Sequence, residues 1–238
     1  MSNVIVPAAD VRTIGDTQVH ALGARYVDAK AGRIYRYVKA GATALDPGKL
    51  VVNADLVANH TNQTFNAAAA VGDTVVYLNI GATAATQDQY RDGFLTVNDA
   101  TGEGITYAVQ GNSAASSSGV VTVYLKEPIK VALVASTSEG TLKPSNWSGV
   151  VISATDQADL AVGVPNVTIT ANYYGWVQTR GECAVLADEA VTKGQALTIG
   201  TGTAGAVEAQ DAAGEPQIGV ASEALVDTEY RSAFLTID

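Results

Sequence analysis

The sequence predicts an all-β protein made of small barrel or sandwich modules of short antiparallel strands, with little helix. Three observations carry this reading. Apolar and polar residues alternate with period two in runs rich in Val, Ile, Thr and Tyr, as in 73–80 (DTVVYLNI) and 119–125 (GVVTVYL). Turn-forming clusters separate the runs at short intervals: Asp46-Pro47-Gly48, Asp99-Ala100-Thr101-Gly102, Ser116-Ser117-Ser118-Gly119, Thr192-Lys193-Gly194 and Ala213-Gly214-Glu215-Pro216. Sustained helical periodicity is absent apart from a turn or two around 54–60 and 85–92.

Taken in order, strands are expected over 33–39, 49–53, 73–80, 93–98, 104–110 and 119–125. They continue over 129–135, 149–154, 166–171, 174–179, 183–187, 195–200, 205–209, 216–221 and 232–237. An internal echo links Gly41–Val52 with Gly181–Ile199: in each, a Gly opens an apolar strand, an acidic turn follows, and a second Gly opens another strand. This suggests that the two stretches pair within one barrel. The expected organisation is a basic N-terminal segment (1–60) that lends strands to the barrel, an inserted β-sheet domain (61–172) and a C-terminal small barrel (173–238).

Composition narrows the function. The 238 residues are 47% hydrophobic and 16% charged, apolar enough to recover ordering entropy by burial. No apolar run reaches the roughly 20 residues a bilayer span requires, and the start, MSNVIVPAADVR, lacks the pattern of a secretory signal. The single Cys183 excludes an intrachain disulfide framework and a cysteine-rich zinc site, so no cofactor or metal is expected. A net charge of −10 repels phosphate, which argues against direct nucleic-acid binding. That charge is uneven. Residues 1–50 hold seven basic residues against four acids, a net +3, while the remainder holds seven against 20, a net −13. Such asymmetry fits a basic face docked on something acidic; a solvated face that touches nothing has the same pattern.

Motifs that carry chemistry are scarce. Gly200-Thr201-Gly202-Thr203-Ala204-Gly205 matches the dinucleotide fingerprint in letters, but a strand pattern follows it where phosphate binding needs a helix, so a Gly-rich hairpin is the better account. Asp88, Asp92, Asp99 and Glu103 with Asn98 form the densest acidic cluster, without the alternate-ligand spacing of a calcium loop. Cys183 lies in an alternating strand, where a small buried hydrophobe is the usual role. Neither His20 nor His60 stands in a recognisable triad pattern, and no enzyme is expected. Tyr173, Tyr174 and Trp176 offer either a sugar-stacking face or core packing.

Residues 174–238 carry an ordered series: Gly175-Trp-Val-Gln-Thr179, Gly181, Ala184-Val-Leu186, Val191-Thr-Lys-Gly194, Ala196-Leu-Thr-Ile199, Gly205-Ala-Val207, Ile218-Gly-Val-Ala221 and Ala233-Phe-Leu-Thr-Ile237. The series resembles the small β-barrel of bacteriophage capsid decoration (cement) proteins and related phage virion structural proteins. The stretches Tyr90–Val97, Gly104–Tyr107 and Val121–Pro128 are also similar to phage virion proteins. The resemblance implies a non-enzymatic protein, made in the bacterial cytoplasm and carried on the capsid exterior, that bridges major capsid subunits, commonly as a homotrimer. On that reading Arg12, Arg25, Arg33 and Arg36 of the basic segment would contact acidic capsid surface. The alternative is a glycan- or receptor-binding module of a head or tail fibre, which needs Trp147 or Trp176 accessible.

Overall fold

A computed structural model describes residues 10–238. The stretch 1–9, which contains most of the segment read above for a secretory signal, lies outside the described residues. The chain is all-β. Its strands are β1 (Arg25–Asp28), β2 (Arg33–Ala40), β3 (Val51–Val52), β4 (Gln63–Thr64), β5 (Val75–Asn79) and β6 (Phe94–Asp99). Next come β7 (Thr106–Asn112), β8 (Val120–Leu125), β9 (Glu139–Lys143), β10 (Ser148–Ile152) and β11 (Ala161–Pro165). The last five are β12 (Tyr174–Leu186), β13 (Ala196–Ile199), β14 (Val207–Ala209), β15 (Gly219–Ala221) and β16 (Tyr230–Thr236). Among the described residues, helix is limited to single 3₁₀ turns at Asp10–Arg12 and Ala58–His60. The expected helical turn at 85–92 is irregular, because Asp88 and Asp92 take positive φ (58° and 60°), which ends any right-handed helix.

Two units divide the described chain: residues 10–54 with 146–238, and 55–145. The inserted segment thus ends earlier than the expected 172. Strands β10 and β11 belong to the first unit, because their ladders run to β2, β3 and β12.

In the first unit β2, β10, β3, β11 and β12 close into a ring, with β2–β10 parallel and the other four pairings antiparallel. Val38, Leu45, Val51, Val150, Val162, Ile169 and Val177 fill it. Strand β12 is long enough to serve two rings. Its first half pairs with β2, and its second half pairs with β16 from Arg180↔Thr236 to Leu186↔Tyr230. The second sheet runs β12-β16-β15-β13-β14, and a bridge between Ala187 and Val207 closes it. Val185, Val191, Leu197, Val207, Leu225 and Leu235 form its core. The handover occurs at a bulge between Gln178 and Arg180, where one extra residue reverses which backbone groups face which neighbour. Gly181 follows at φ +88°, and a Cβ there would lie 2.5 Å from the Gly32 carbonyl. The expected strands 174–179 and 183–187 are therefore one strand bent at this point.

The second unit is a six-stranded sheet, β4-β9-β6-β7-β8-β5, whose ends meet through the Phe65↔Leu78 bridge. Its strands alternate as the sequence predicts: Val121, Val123 and Leu125 of β8 point inward, while Val120 and Tyr124 point outward. Phe65, Tyr90, Leu95 and Tyr107 are fully buried in its core.

One local device recurs in both units. A buried or half-buried residue makes a single antiparallel bridge, and the residue three positions later takes positive φ. The bridges are Leu45↔Ile169, Ala69↔Leu133, Ala85↔Ala115 and Val191↔Leu225. The left-handed residues are Gly48, Asn172, Gly72, Ser136, Asp88, Ser118, Gly194 and Thr228. Each bridge is held by two reciprocal N–H···O bonds, for example Leu45 N to Ile169 O and Ile169 N to Leu45 O, both 2.9 Å. The echo read between Gly41–Val52 and Gly181–Ile199 is two copies of this device. They do not bridge each other: Leu45 pairs with Ile169 and Val191 with Leu225. The expected strands 129–135 and 166–171 are likewise bridge copies, centred on Leu133 and Ile169, rather than full strands.

Candidate functional site

A pocket of about 670 Å³ opens in the first unit beside the second half of β12. Its walls come from segments distant in sequence: Arg12, Arg33 at the start of β2, the Asp46–Lys49 turn, Pro165 and Asn166 at the end of β11, and Tyr230 at the start of β16. Gln178, Glu182, Cys183 and Ala184 of β12 form the floor. The floor is internally bonded. Gln178 Nε2 donates to the carbonyls of Arg180 (3.0 Å) and Glu182 (2.9 Å), and Asn166 Nδ2 donates to Gln178 Oε1 (3.1 Å). Burial, opposed only weakly by Arg33, pushes the Cys183 thiol up to about 12, so it remains protonated at neutral pH and is a poor nucleophile. Its strand position as a small buried group agrees with the sequence reading.

The four arginines expected at a contact surface separate into two pairs. Arg12 and Arg33 line the pocket and have no carboxylate ion-pair partner among the described residues. Arg36 is turned inward. It is buried, its Nε and Nη2 donate to both carboxylate oxygens of Asp238 (2.7 and 2.8 Å), and Nη1 donates to Gly23 O at 2.9 Å. Its guanidinium also lies 5.3 Å from the Trp147 ring centre. Arg25 joins the same carboxylate at 3.7 Å. Arg36 is therefore an internal clamp spanning 202 positions of sequence and is not available as a surface contact, because the Asp238 pair consumes its fork of donors.

This clamp has a pH consequence. Hydrogen bonding by Arg36 is the main cause that holds the Asp238 carboxyl below its ordinary value of 3.8, aided by the charges of Arg36, Arg25 and Arg180 and opposed by desolvation. A carboxyl depressed in the folded state stabilises fully above the unfolded value and loses that contribution as pH falls through the folded one. Asp238 is solvent-exposed, so screening discounts the pair and Asp238→Asn should cost about 0.5–1 kcal/mol at pH 7. The gap between variant and parent should narrow below about pH 4. Urea midpoints at pH 7 and pH 3 read this directly. An equal gap at both pH values would contradict the clamp.

Of the aromatic residues weighed above for sugar binding, Trp176 is buried and Tyr173 and Tyr174 are half-buried, and Tyr174 and Trp176 border a small pocket of about 200 Å³ together with Tyr37 and His20. Trp176 is 2% exposed, and Tyr37 and His20 stand at 5.1 and 5.4 Å from it, ring centre to ring centre. Tyr174 is half-buried, stacked on Tyr37 at 6.0 Å and capped by Lys39. Trp147 is covered by Arg36 and sits against Gly23. The rings thus pack on one another and also border that small pocket.

The Gly200–Gly205 loop is a hairpin between β13 and β14. Its amides serve the chain's own acids: Glu208 accepts from the Thr201 N–H and hydroxyl, both at 2.9 Å, and Asp188 accepts from the Gly202 N–H at 2.5 Å. Carboxylates thus occupy the donors that a phosphate would need. In the acidic cluster, Asp88 pairs with Arg91 at 2.7 Å and Asp92 with Lys126 at 2.6 Å. Among the described residues no group of three or more His, Cys, Asp or Glu is arranged to hold a metal ion. Among them, too, no helix is long and apolar enough to cross a membrane.

No family model, curated protein or solved structure matches this chain.

Proposed function

We propose that this chain is a structural virion protein that binds the outside of a tailed-phage capsid shell and bridges neighbouring major capsid subunits, acting as a homotrimer. One observation carries the reading. Arg12 and Arg33 border an open pocket without acidic partners among the described residues, so two cations stand ready for an acidic protein surface at little desolvation cost. The resemblance of 174–238 to decoration proteins supplies the partner class, and the closed β units supply the kind of rigid body that can clamp neighbours without refolding. Many weak contacts of this kind, repeated over a shell, stabilise it by mass action.

The test is charge reversal. The double variant Arg12→Glu/Arg33→Glu should lower occupancy on expanded empty heads at least about tenfold, with its circular dichroism unchanged. Reversal of the exposed Lys193, which lies outside the pocket, should leave occupancy intact. Full occupancy by the double variant would overturn the reading. Arg36 is unsuitable for this test, since its loss breaks the Asp238 clamp.

A further inference from the structure

The pocket beside β12 is also a break in a sheet edge. On one edge, β2 pairs with β12 only as far as Ile34↔Arg180, then leaves at Arg33. Contact on that edge resumes where the Leu186 N–H donates to Gly48 O at 2.8 Å. Between these points no strand is paired to it among the described residues. The opposite edge is occupied by β16, and two bonds fix its phase: Ile237 N–H to Thr179 O (3.0 Å) and Ala187 N–H to Glu229 O (2.9 Å). Backbone groups of successive strand residues point alternately to the two edges. Gly181, Cys183 and Val185 therefore face β16, and Glu182 and Ala184 face the break.

The break is richer in donors than in acceptors. The Glu182 carbonyl already accepts from Gln178 Nε2 at 2.9 Å and the Ala184 carbonyl from the Cys183 thiol at 3.5 Å, whereas strand phase turns the N–H groups of Glu182 and Ala184 toward the break. Two guanidinium groups, Arg12 and Arg33, flank them; the two carboxylates of the same lining are engaged elsewhere, Asp46 with Lys49 at 2.9 Å and Glu182 with the Ser222 hydroxyl at 3.0 Å; and Pro47, Pro165 and the half-exposed ring of Tyr230 make apolar walls. The ligand that matches is extended, rich in carbonyl acceptors and acidic. We propose that this break in the β12 edge, between Arg33 and Gly48, is a docking site for an extended acidic peptide segment of a partner protein, added as a short strand. Main-chain bonds to Glu182 and Ala184 supply the register, and Asp or Glu side chains of the incoming strand meet Arg12 and Arg33. The site takes such a segment whether a capsid subunit or another protein provides it.

The experiment uses the full chain and a fluorescein-labelled peptide alternating Val and Asp over five residues, read by anisotropy. Its Lys-for-Asp counterpart should bind at least about tenfold more weakly, and Arg33→Gln should weaken the acidic peptide about tenfold. Backbone N-methylation separates strand addition from simple anion capture. Methylation of one alternate set of peptide amides should abolish binding, and methylation of the other set should leave it unchanged. Amide exchange at Ala184 and Glu182 should slow when the acidic peptide is bound. Equal binding by both methylated sets, absence of binding, or protection elsewhere would each overturn the proposal. These peptides contain no capsid, so loss of capsid binding with intact peptide binding would overturn only the capsid reading.

Discussion

Asn112→Ala is expected to destabilise the 55–145 unit by about 4 kcal/mol, a large share of what holds a small domain together. Asn112 is fully buried at the end of β7. Its Oδ1 accepts from the Tyr90 N–H at 2.8 Å, and its Nδ2 donates to Thr86 O (2.9 Å) and Ser113 O (2.8 Å). Truncation strands one donor and two acceptors away from water and leaves a cavity, and each orphaned group costs about 1–3 kcal/mol, less where the chain relaxes. The network continues from Tyr90. The Tyr90 hydroxyl meets Nδ1 of the fully buried His60, and Nε2 of that ring lies 2.8 Å from Thr83 O. A carbonyl accepts only, so Nε2 carries the proton and Nδ1 accepts from Tyr90. Asn112→Asp should cost about as much, because it sets a carboxylate oxygen against two carbonyls. Urea denaturation gives the stability change, and amide exchange at Tyr90 gives its location. A loss below 1 kcal/mol, or exchange at Tyr90 no faster than in the parent, would contradict this network.

Gly93→Ala is the second large effect, expected at about 3 kcal/mol. Gly93 precedes β6 with an ordinary φ, so backbone strain is not the reason for glycine there. Space is. A Cβ would stand 2.3 Å from the Lys143 carbonyl oxygen and 2.9 Å from the Ser145 nitrogen. Both are backbone atoms of the segment that pairs with β6, through Phe94↔Lys143, so the methyl group must push the β9 end away or break that pairing. A control at Gly72, which has open space but φ +102°, should cost less, about 1 kcal/mol for conformational strain alone. If the Gly72 and Gly93 variants proved equally stable, the close approach of β6 and β9 would be wrong.

Much of the fold was legible in the sequence, because the strongest strands alternate over a half-buried surface. β5, β6, β7 and β8 fall on their expected runs and alternate between buried and exposed positions over most of their length. Four strands were missed. β1 (RYVD) and β4 are only four and two residues long, too short for alternation to show, and β9 (EGTLK) and β11 (AVGVP) contain Gly or Pro, residues that weaken a strand signal. The bridge-and-turn device was half visible. Gly48 and Gly194 announce a left-handed position by residue type, as Ser118 does through the serine cluster around it. Asp88, Ser136 and Thr228 adopt the same φ without announcing it. The site was legible only as charge. Excess basic residues in 1–50 pointed equally to Arg12, Arg25, Arg33 and Arg36, and only the first and third border the pocket. The pocket that they border exists because β2 leaves β12 at one point and Gly48 rejoins it at another, a property of pairing that no local window contains. The Arg36–Asp238 clamp was hidden for the same reason, joining residues 202 positions apart.

Of the four arginines, buried Arg36 and half-exposed Arg25 are engaged by Asp238, and Arg12 and Arg33 face the pocket. Loss of binding after reversal at Arg12 and Arg33 thus separates from loss of folding after reversal at Arg36, a distinction that charge counting alone could not supply.

The most direct test of the proposed decoration role is sizing of the purified chain by light scattering, alone and after sedimentation with expanded empty capsids of tailed phages. The account predicts a stable trimer that co-sediments with the shells at saturable stoichiometry. A monomer that stays in the supernatant would contradict it.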